Sequence, residues 1–133
     1  MIFIDTGAFI ARYLPLDQHH EAAVSLWEKM IKARERILTS NFVLDETFTL
    51  LGRRAGYRFA AERARNILFS KALKILRPGR DEELEALELF EKYADQNVSF
   101  TDCVSFVLMR RSRVERVFSF DRHFKNAGFS LWA

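Results

Sequence analysis

Short apolar runs alternate with amphipathic stretches along the whole of this chain, and that alternation limits the fold more than any other feature. The runs are "IFID" (2–5), "RILTS" (36–40), "LKILR" (73–77), "RVFSF" (116–120) and "FSLW" (129–132). They are too short for helices, and their continuous apolar character predicts strands buried on both faces. Between them, "TGAFIARYL" (6–14) predicts a short helix that stops near Pro15. "DQHHEAAVSLWEKMIKARER" (17–36) carries Ala23, Leu26, Trp27, Met30 and Ile31 on one helical face. "NFVLDETFTLLGRRA" (41–55) follows Ser40, a good N-cap, and "RFAAERARNILFSKA" (58–72) continues the helical pattern. "DEELEALELFEKYAD" (81–95) places its acids first, as the helix dipole favours, with Leu84, Leu87, Phe90 and Ala94 as its expected buried face. "TDCVSFVLMRRSR" (101–113) ends in basic residues, and "DRHFKNA" (121–127) predicts a turn or short helix. Strands alternating with helices predict a parallel sheet covered on both sides. The expected fold is therefore a three-layer α/β/α sandwich, a single domain spanning residues 1–133.

Composition removes several function classes. With 49% apolar and 29% charged residues, the chain is globular rather than disordered. The one cysteine, Cys103, cannot form an internal disulfide, which suits a reducing cytoplasm and a buried thiol. No apolar stretch approaches the roughly 18 residues of a membrane span, and the first apolar run lacks a basic leader and stops at Asp5. A net charge of +3 permits a nucleic-acid partner without demanding one.

The informative residues are acids that break an apolar pattern. Asp5 ends the first strand and Asp121 the fourth, so a parallel sheet delivers both to one edge. Asp102 opens the helix before the fourth strand and faces the same edge. In the helix after the second strand, Glu46 shares a side with Phe42, Val43 and Leu50, whereas Asp45 shares the wet side with Asn41 and Thr49. Asp5, Glu46, Asp102 and Asp121 are thus expected to converge. Four anions in a partly buried pocket either take up protons or bind cations. Oxygen ligands suit Mg²⁺ or Mn²⁺, ions that activate water and offset charge on phosphoryl oxygens.

Each acid alone has a simpler reading. Asp102 fits a helix cap, Asp5 and Asp121 fit turns, and Glu46 can reach past its apolar neighbours to solvent. Independent caps have no reason to meet on one edge, and their joint placement favours a site. Thr6 and Ser119 flank the acids with hydroxyls suited to a carboxylate or a bound water. Gly7 is expected to relieve crowding there. His19, His20 and His123 share no ligand spacing with a cysteine or another acid, so no histidine receives a chemical role. Arg122, next to Asp121, suits either a phosphate contact or a pairing with one of the acids. The cations around the end of the 101–113 helix are expected to lie away from the site.

These pieces resemble the PIN domain, and within it the VapC-type toxin ribonucleases. The matching segments are "IFIDTGAFIA", "LTSNFVLDETFTLL", "VSFTDCVSFVLM" and "VFSFDRHF", from residue 2 to residue 124. The resemblance implies a Mg²⁺- or Mn²⁺-dependent endoribonuclease whose acids map onto Asp5, Glu46, Asp102 and Asp121, with the accompanying hydroxyl at Thr6. It implies hydrolysis of single-stranded or structured RNA to 5′-phosphate and 3′-hydroxyl ends, with no histidine or lysine as base. It further implies a small antitoxin protein as partner and a homodimer. Arg53, Arg54 and Arg58 follow the Glu46 helix, and the large apolar residues Trp27, Phe42, Phe48, Phe59 and Phe69 exceed what one core readily absorbs, which leaves some for a dimer or partner surface. Two other readings follow from the same residues. A PIN nuclease of RNA processing needs no antitoxin, and a PIN domain that binds without cutting needs no intact acid set. "IDTGA" also resembles the catalytic strand of a retroviral-type aspartic protease, but such proteins are almost wholly β and this chain is rich in helical segments.

Overall fold

The computed structural model describes residues 1–133. Five strands, β1 (Ile2–Ile4), β2 (Ile37–Ser40), β3 (Leu73–Leu76), β4 (Arg116–Phe118) and β5 (Ser130–Leu131), form one sheet in the order β3-β2-β1-β4-β5. Every neighbouring pair is parallel. The helices are α1 (Thr6–Tyr13), α2 (His20–Lys32), α3 (Asn41–Ala55), α4 (Tyr57–Leu68), α5 (Arg80–Lys92), α6 (Phe100–Arg111) and α7 (Arg122–Asn126). Right-handed crossovers send α1 to α4 to one face and α5 to α7 to the other. The packing agrees: α1 contacts α2 and α3, α3 contacts α4, and α6 contacts α5 and α7. This is the expected three-layer α/β/α sandwich.

The central strands have no solvent-facing side. Ile2, Phe3, Ile4, Val117 and Phe118 are all fully buried. Phe118 meets Trp27 of α2 at 6.0 Å, while Phe106 of α6 meets Phe124 of α7 edge-on at 5.1 Å. Cys103 is buried within α6, and burial pushes its thiol up to about 11, as expected of an inert packing residue.

Serines cap the two helices that carry site acids. Ser40 Oγ accepts the Val43 N–H at 3.1 Å at the start of α3. Ser99 Oγ accepts the Asp102 N–H at 3.0 Å at the start of α6. The cap of α6 is thus Ser99, and Asp102 is its third helical residue, whose carboxylate Ser99 stabilises in return.

The expected buried face of α5 is corrected. Leu84, Leu87 and Phe90 are 46%, 42% and 41% exposed, and Ala94 is exposed as well. Ala86 is buried instead, with Leu89 and Tyr93 packed on the core beside it. This helix has two adjacent apolar rows, and periodicity alone does not choose between them. The row headed by the small Ala86 lets α5 approach α6 closely, and Arg111 of α6 binds Glu85 at 2.8 Å. Ile31 of α2 is likewise exposed, at the solvent end of an otherwise correct stripe. Of the surplus aromatics, Trp27, Phe42 and Phe48 pack on the main core and Phe59 on a smaller cluster beside it; only Phe69 is largely exposed.

The two rows of α5 should respond oppositely to mutation. Leu87→Glu is expected to change stability by less than about 0.5 kcal/mol, the range of surface substitutions. Ala86→Leu is expected to cost about 1–3 kcal/mol by overpacking. Chemical denaturation midpoints measure both, and equal losses would restore the Leu84 face as the buried one.

Candidate active site

The strand order reverses between β1 and β4, which is where parallel α/β sheets open a crevice at their carboxyl ends. The register pairs Ile4 with Phe118, and the Asp5 N–H donates to the Phe118 carbonyl at 3.0 Å. Asp5 therefore leaves β1 level with Ser119, which leaves β4. Ser119 Oγ donates to Asp5 Oδ2 at 2.9 Å and accepts the Asp121 N–H at 3.0 Å. One hydroxyl thereby holds the side chain of one acid and the backbone of the next. Asp121 in turn caps α7, its Oδ1 accepting the His123 N–H at 2.9 Å.

Helical phase sorts Asp45 from Glu46 as expected: Asp45 is exposed and Glu46 is half-buried. Glu46 lines a cleft of about 300 Å³ together with Asp5, Thr6, Gly7 and Asp121. Asp102 is absent from the cleft wall. It is nevertheless close enough to the other acids to interact electrostatically with both Asp5 and Asp121. The structure thus brings Asp5, Asp102 and Asp121 within electrostatic reach of one another and Glu46 to the cleft that Asp5 and Asp121 line.

Burial makes this group costly. Asp5 is pushed from an ordinary 3.8 up to about 7, first by burial and then by the charge of Asp102, with the Ser119 hydrogen bond opposing. Asp102 rises to about 6, first by burial and then by the charge of Asp121, with Ser99 and His123 opposing. Thr6 Oγ1 lines the same cleft, is buried, and has no hydrogen-bond partner. A buried hydroxyl with nothing to bond, beside carboxylates that resist ionisation, fits a divalent cation or its bound water.

Several neighbours lie beyond what the sequence suggests. His123 was expected to have no partner, yet its Nδ1 lies 3.0 Å from Asp121 Oδ1 and 3.8 Å from Asp102 Oδ2. His19, given no role from the sequence, is half-buried, lines the cleft and stacks on Phe120 with ring centroids 4.4 Å apart and planes 3° apart. The cause is local: α2 begins at His20 rather than Asp17, and Asp17 Oδ1 accepts the His19 N–H at 2.9 Å in a turn that aims the ring inward. Asp17 also lines the cleft, an acid outside the expected four. Arg54, further along α3 from Glu46, supplies a cation to the cleft wall. Arg122 is exposed and forms no ion pair with any of the acids. Gly7 relieves no crowding, because a Cβ there would meet nothing within 4 Å. On the far side, Arg116 binds Glu35 at 2.7 Å, in keeping with cations placed away from the site.

Comparison with known proteins identifies the family and the fold. The PIN domain model matches residues 2–130, and the chain belongs to the PIN domain family. Among relatives, the 23S rRNA-specific endonuclease VapC20 of Mycobacterium tuberculosis is 36% identical over 129 residues, covering 97% of this chain and 95% of that protein. A VapC ribonuclease of Archaeoglobus fulgidus is 29% identical over 124 residues, covering 91% and 77%. The crystal structure of M. tuberculosis VapC20, described as a sarcin-ricin-loop-cleaving toxin, superposes with a TM-score of 0.88 at 34% identity over 97% and 96% of the two chains. FitAcB from Neisseria gonorrhoeae, at 14% identity and a TM-score of 0.73, shares the fold.

The raised carboxyls give a pH signature for the metal-free chain. Both groups hold protons in the folded state that the unfolded chain releases above about pH 4. Their stabilisation is complete below the unfolded value of 3.8 and is lost as pH rises through about 6 and 7. The melting temperature in EDTA is therefore expected to fall between about pH 4.5 and 7.5. Each tenfold difference in proton affinity between the folded and unfolded chain is worth about 1.4 kcal/mol. Asp5→Asn should flatten that slope and raise the melting point at about pH 7.5, where the native carboxyl is charged. A slope unchanged in Asp5→Asn would show that Asp5 is not the strained group.

Proposed function

We propose that this chain is a divalent-metal-dependent endoribonuclease acting as the toxin of a toxin–antitoxin pair in the cytoplasm. The observation that supports this most is the meeting of Asp5, Asp102 and Asp121 at the reversal point of a PIN-domain sheet, with Glu46 across the same cleft. In this reading the four acids hold Mg²⁺ or Mn²⁺. When bound, such an ion lowers the pKa of water and offsets charge on a phosphoryl oxygen. The chain's own groups do the rest. Ser119 orients the Asp5 carboxylate through its 2.9 Å hydrogen bond, and Thr6 offers a free hydroxyl to a ligand water. Arg54 approaches phosphate from the α3 side of the cleft, and Arg122 from the α7 side. His19 and Phe120 line the wall as a stacked pair of aromatic rings against which an unpaired base can lie.

The relative that cleaves 23S rRNA makes a structured ribosomal loop the first substrate class to test. The exposed apolar residues outside the cleft supply surface for an antitoxin and for a second copy of the chain. Tyr57, Leu68 and Phe69 lie along α4 and its end, and Leu84, Leu87 and Phe90 lie along α5.

The test is cleavage of a labelled panel comprising a sarcin-ricin stem-loop, a transfer RNA and an unstructured RNA. Cleavage is expected with Mn²⁺ or Mg²⁺ and not with EDTA, leaving 5′-phosphate ends. Asp5→Asn, Asp102→Asn and Asp121→Asn should each lower the rate by roughly 100-fold or more, as expected for loss of metal ligands. Full cleavage by Asp5→Asn in metal, or undiminished cleavage in EDTA, would sink the assignment. Binding of the panel without cleavage would favour a non-catalytic role.

The partner proposal has its own measurement. Light scattering should find the chain as a dimer, and as a larger complex when mixed with the product of an adjacent small gene. A monomer in both samples would remove the dimer and the antitoxin together.

A further inference from the structure

Sequence and family resemblance both point to a site of oxygen ligands alone. The structure adds a nitrogen. His123 Nε2 lies 3.1 Å from the Gln96 carbonyl in the loop between α5 and α6. A carbonyl only accepts, so Nε2 carries a hydrogen and Nδ1 is the ring nitrogen left to face the acids. Nδ1 faces Asp121 Oδ1 at 3.0 Å and Asp102 Oδ2 at 3.8 Å. One ligand atom from each of these three residues falls within a group no more than 4.8 Å across. In the metal-free chain a proton on Nδ1 can bridge it to Asp121, whose Oδ2 also lies 3.3 Å away; a cation that displaces that proton would find two carboxylates and a ring nitrogen already grouped.

The dimensions suit a metal ion. With metal–ligand bonds of about 2.0–2.2 Å, adjacent ligands of an octahedron stand about 3.0 Å apart and opposite ones about 4.2 Å apart. The 3.0 and 3.8 Å separations fall within that range. The rest of the ring's environment also matches. A ligating histidine donates its other ring N–H to a backbone carbonyl or carboxylate, which fixes tautomer and orientation, and here Gln96 supplies that carbonyl. Independently, the buried Thr6 Oγ1 in the adjoining cleft lacks any partner in the protein.

We propose that His123 Nδ1 is a metal ligand, joining Asp102 and Asp121 in a mixed nitrogen–oxygen site. Such a site prefers Mn²⁺ and later transition ions to Mg²⁺, because imidazole nitrogen suits them and Mg²⁺ favours oxygen. The inference rests on reading the carboxylates as a metal centre and adds which residue sets the choice of ion.

Binding measurements on the full chain separate the two levels. Mn²⁺ and Mg²⁺ are titrated by calorimetry into wild type, Asp102→Asn and His123→Gln, and Mn²⁺-loaded wild type is examined by pulsed EPR for coupling to nitrogen. The expected result is nitrogen coupling in the wild type that disappears in His123→Gln. Mn²⁺ affinity should fall roughly 10- to 100-fold in His123→Gln, while Mg²⁺ affinity falls by a smaller factor. Absence of nitrogen coupling in the wild type overturns the proposal without recourse to any variant. So does an equal loss of Mn²⁺ and Mg²⁺ affinity in His123→Gln, which marks a bracing role only. If Asp102→Asn also binds both ions like wild type, the metal centre itself falls; if Asp102→Asn fails and His123→Gln does not, only the role of His123 falls.

Discussion

Repulsion among buried carboxylates is the constraint around which this domain is arranged. Asp5 and Asp102 both sit where burial opposes their charge, and the charge of Asp102 further resists ionisation of Asp5. Asp121 adds to both. Left alone, three such groups would move apart or drive their helices out of register. The parallel β1–β4 ladder prevents this, because Asp5 follows a strand whose three residues are fully buried and Asp121 follows one anchored by Val117 and Phe118. The apolar core holds the acids in a conformation that no interaction among the acids themselves would select.

The two ends of the sheet treat charge differently. At the amino-terminal end, Glu35 accepts both Arg116 at 2.7 Å and the chain's amino group at 3.1 Å, and these partners hold its carboxyl below the ordinary range. At the carboxyl-terminal end, the protein places three acids and answers them with hydroxyls, one histidine and, across the cleft, Arg54. The same chain that pairs its charges at one edge compensates them only in part at the other. An excess of negative charge in a buried crevice is what a site for a cation requires.

Strand placement and the convergence of the acids were legible in the sequence because both follow from short-range rules. Two-sided burial makes β1 and β4 apolar throughout, and the helical repeat separates Glu46 from Asp45. Ser40 announced its cap in the same way. What stayed hidden depends on relations between distant segments. The buried row of α5 is decided by how closely Ala86 lets it approach α6, and no count along α5 contains that. His19 reaches the cleft because residues 17–19 form a turn in place of the expected helical start, and its stacking partner Phe120 belongs to the far end of the chain. Arg54 reaches the same wall from the far part of α3. Of the partners of His123, Asp121 stands two residues away but reaches the ring only through the turn that starts α7, and Asp102 and Gln96 belong to another element and a loop.

Residue 121 shows how few atoms the site uses for several tasks. The Asp121 backbone N–H binds Ser119, and its Oδ1 caps α7 and also lies 3.0 Å from the ring of His123. Helix α7 has only five residues, of which Phe124 alone is buried. So short a helix gains little stability from its own hydrogen bonds. Its form is explained by what it holds: Phe124 pins one side to Phe106 and Phe129, and the cap then aims His123 back toward Asp102. The turn after β4 thus sets a carboxylate and an imidazole side by side at a strand end. The capping carboxylate that starts the helix and the ring carried two residues later face the same point because the cap itself fixes the angle between them.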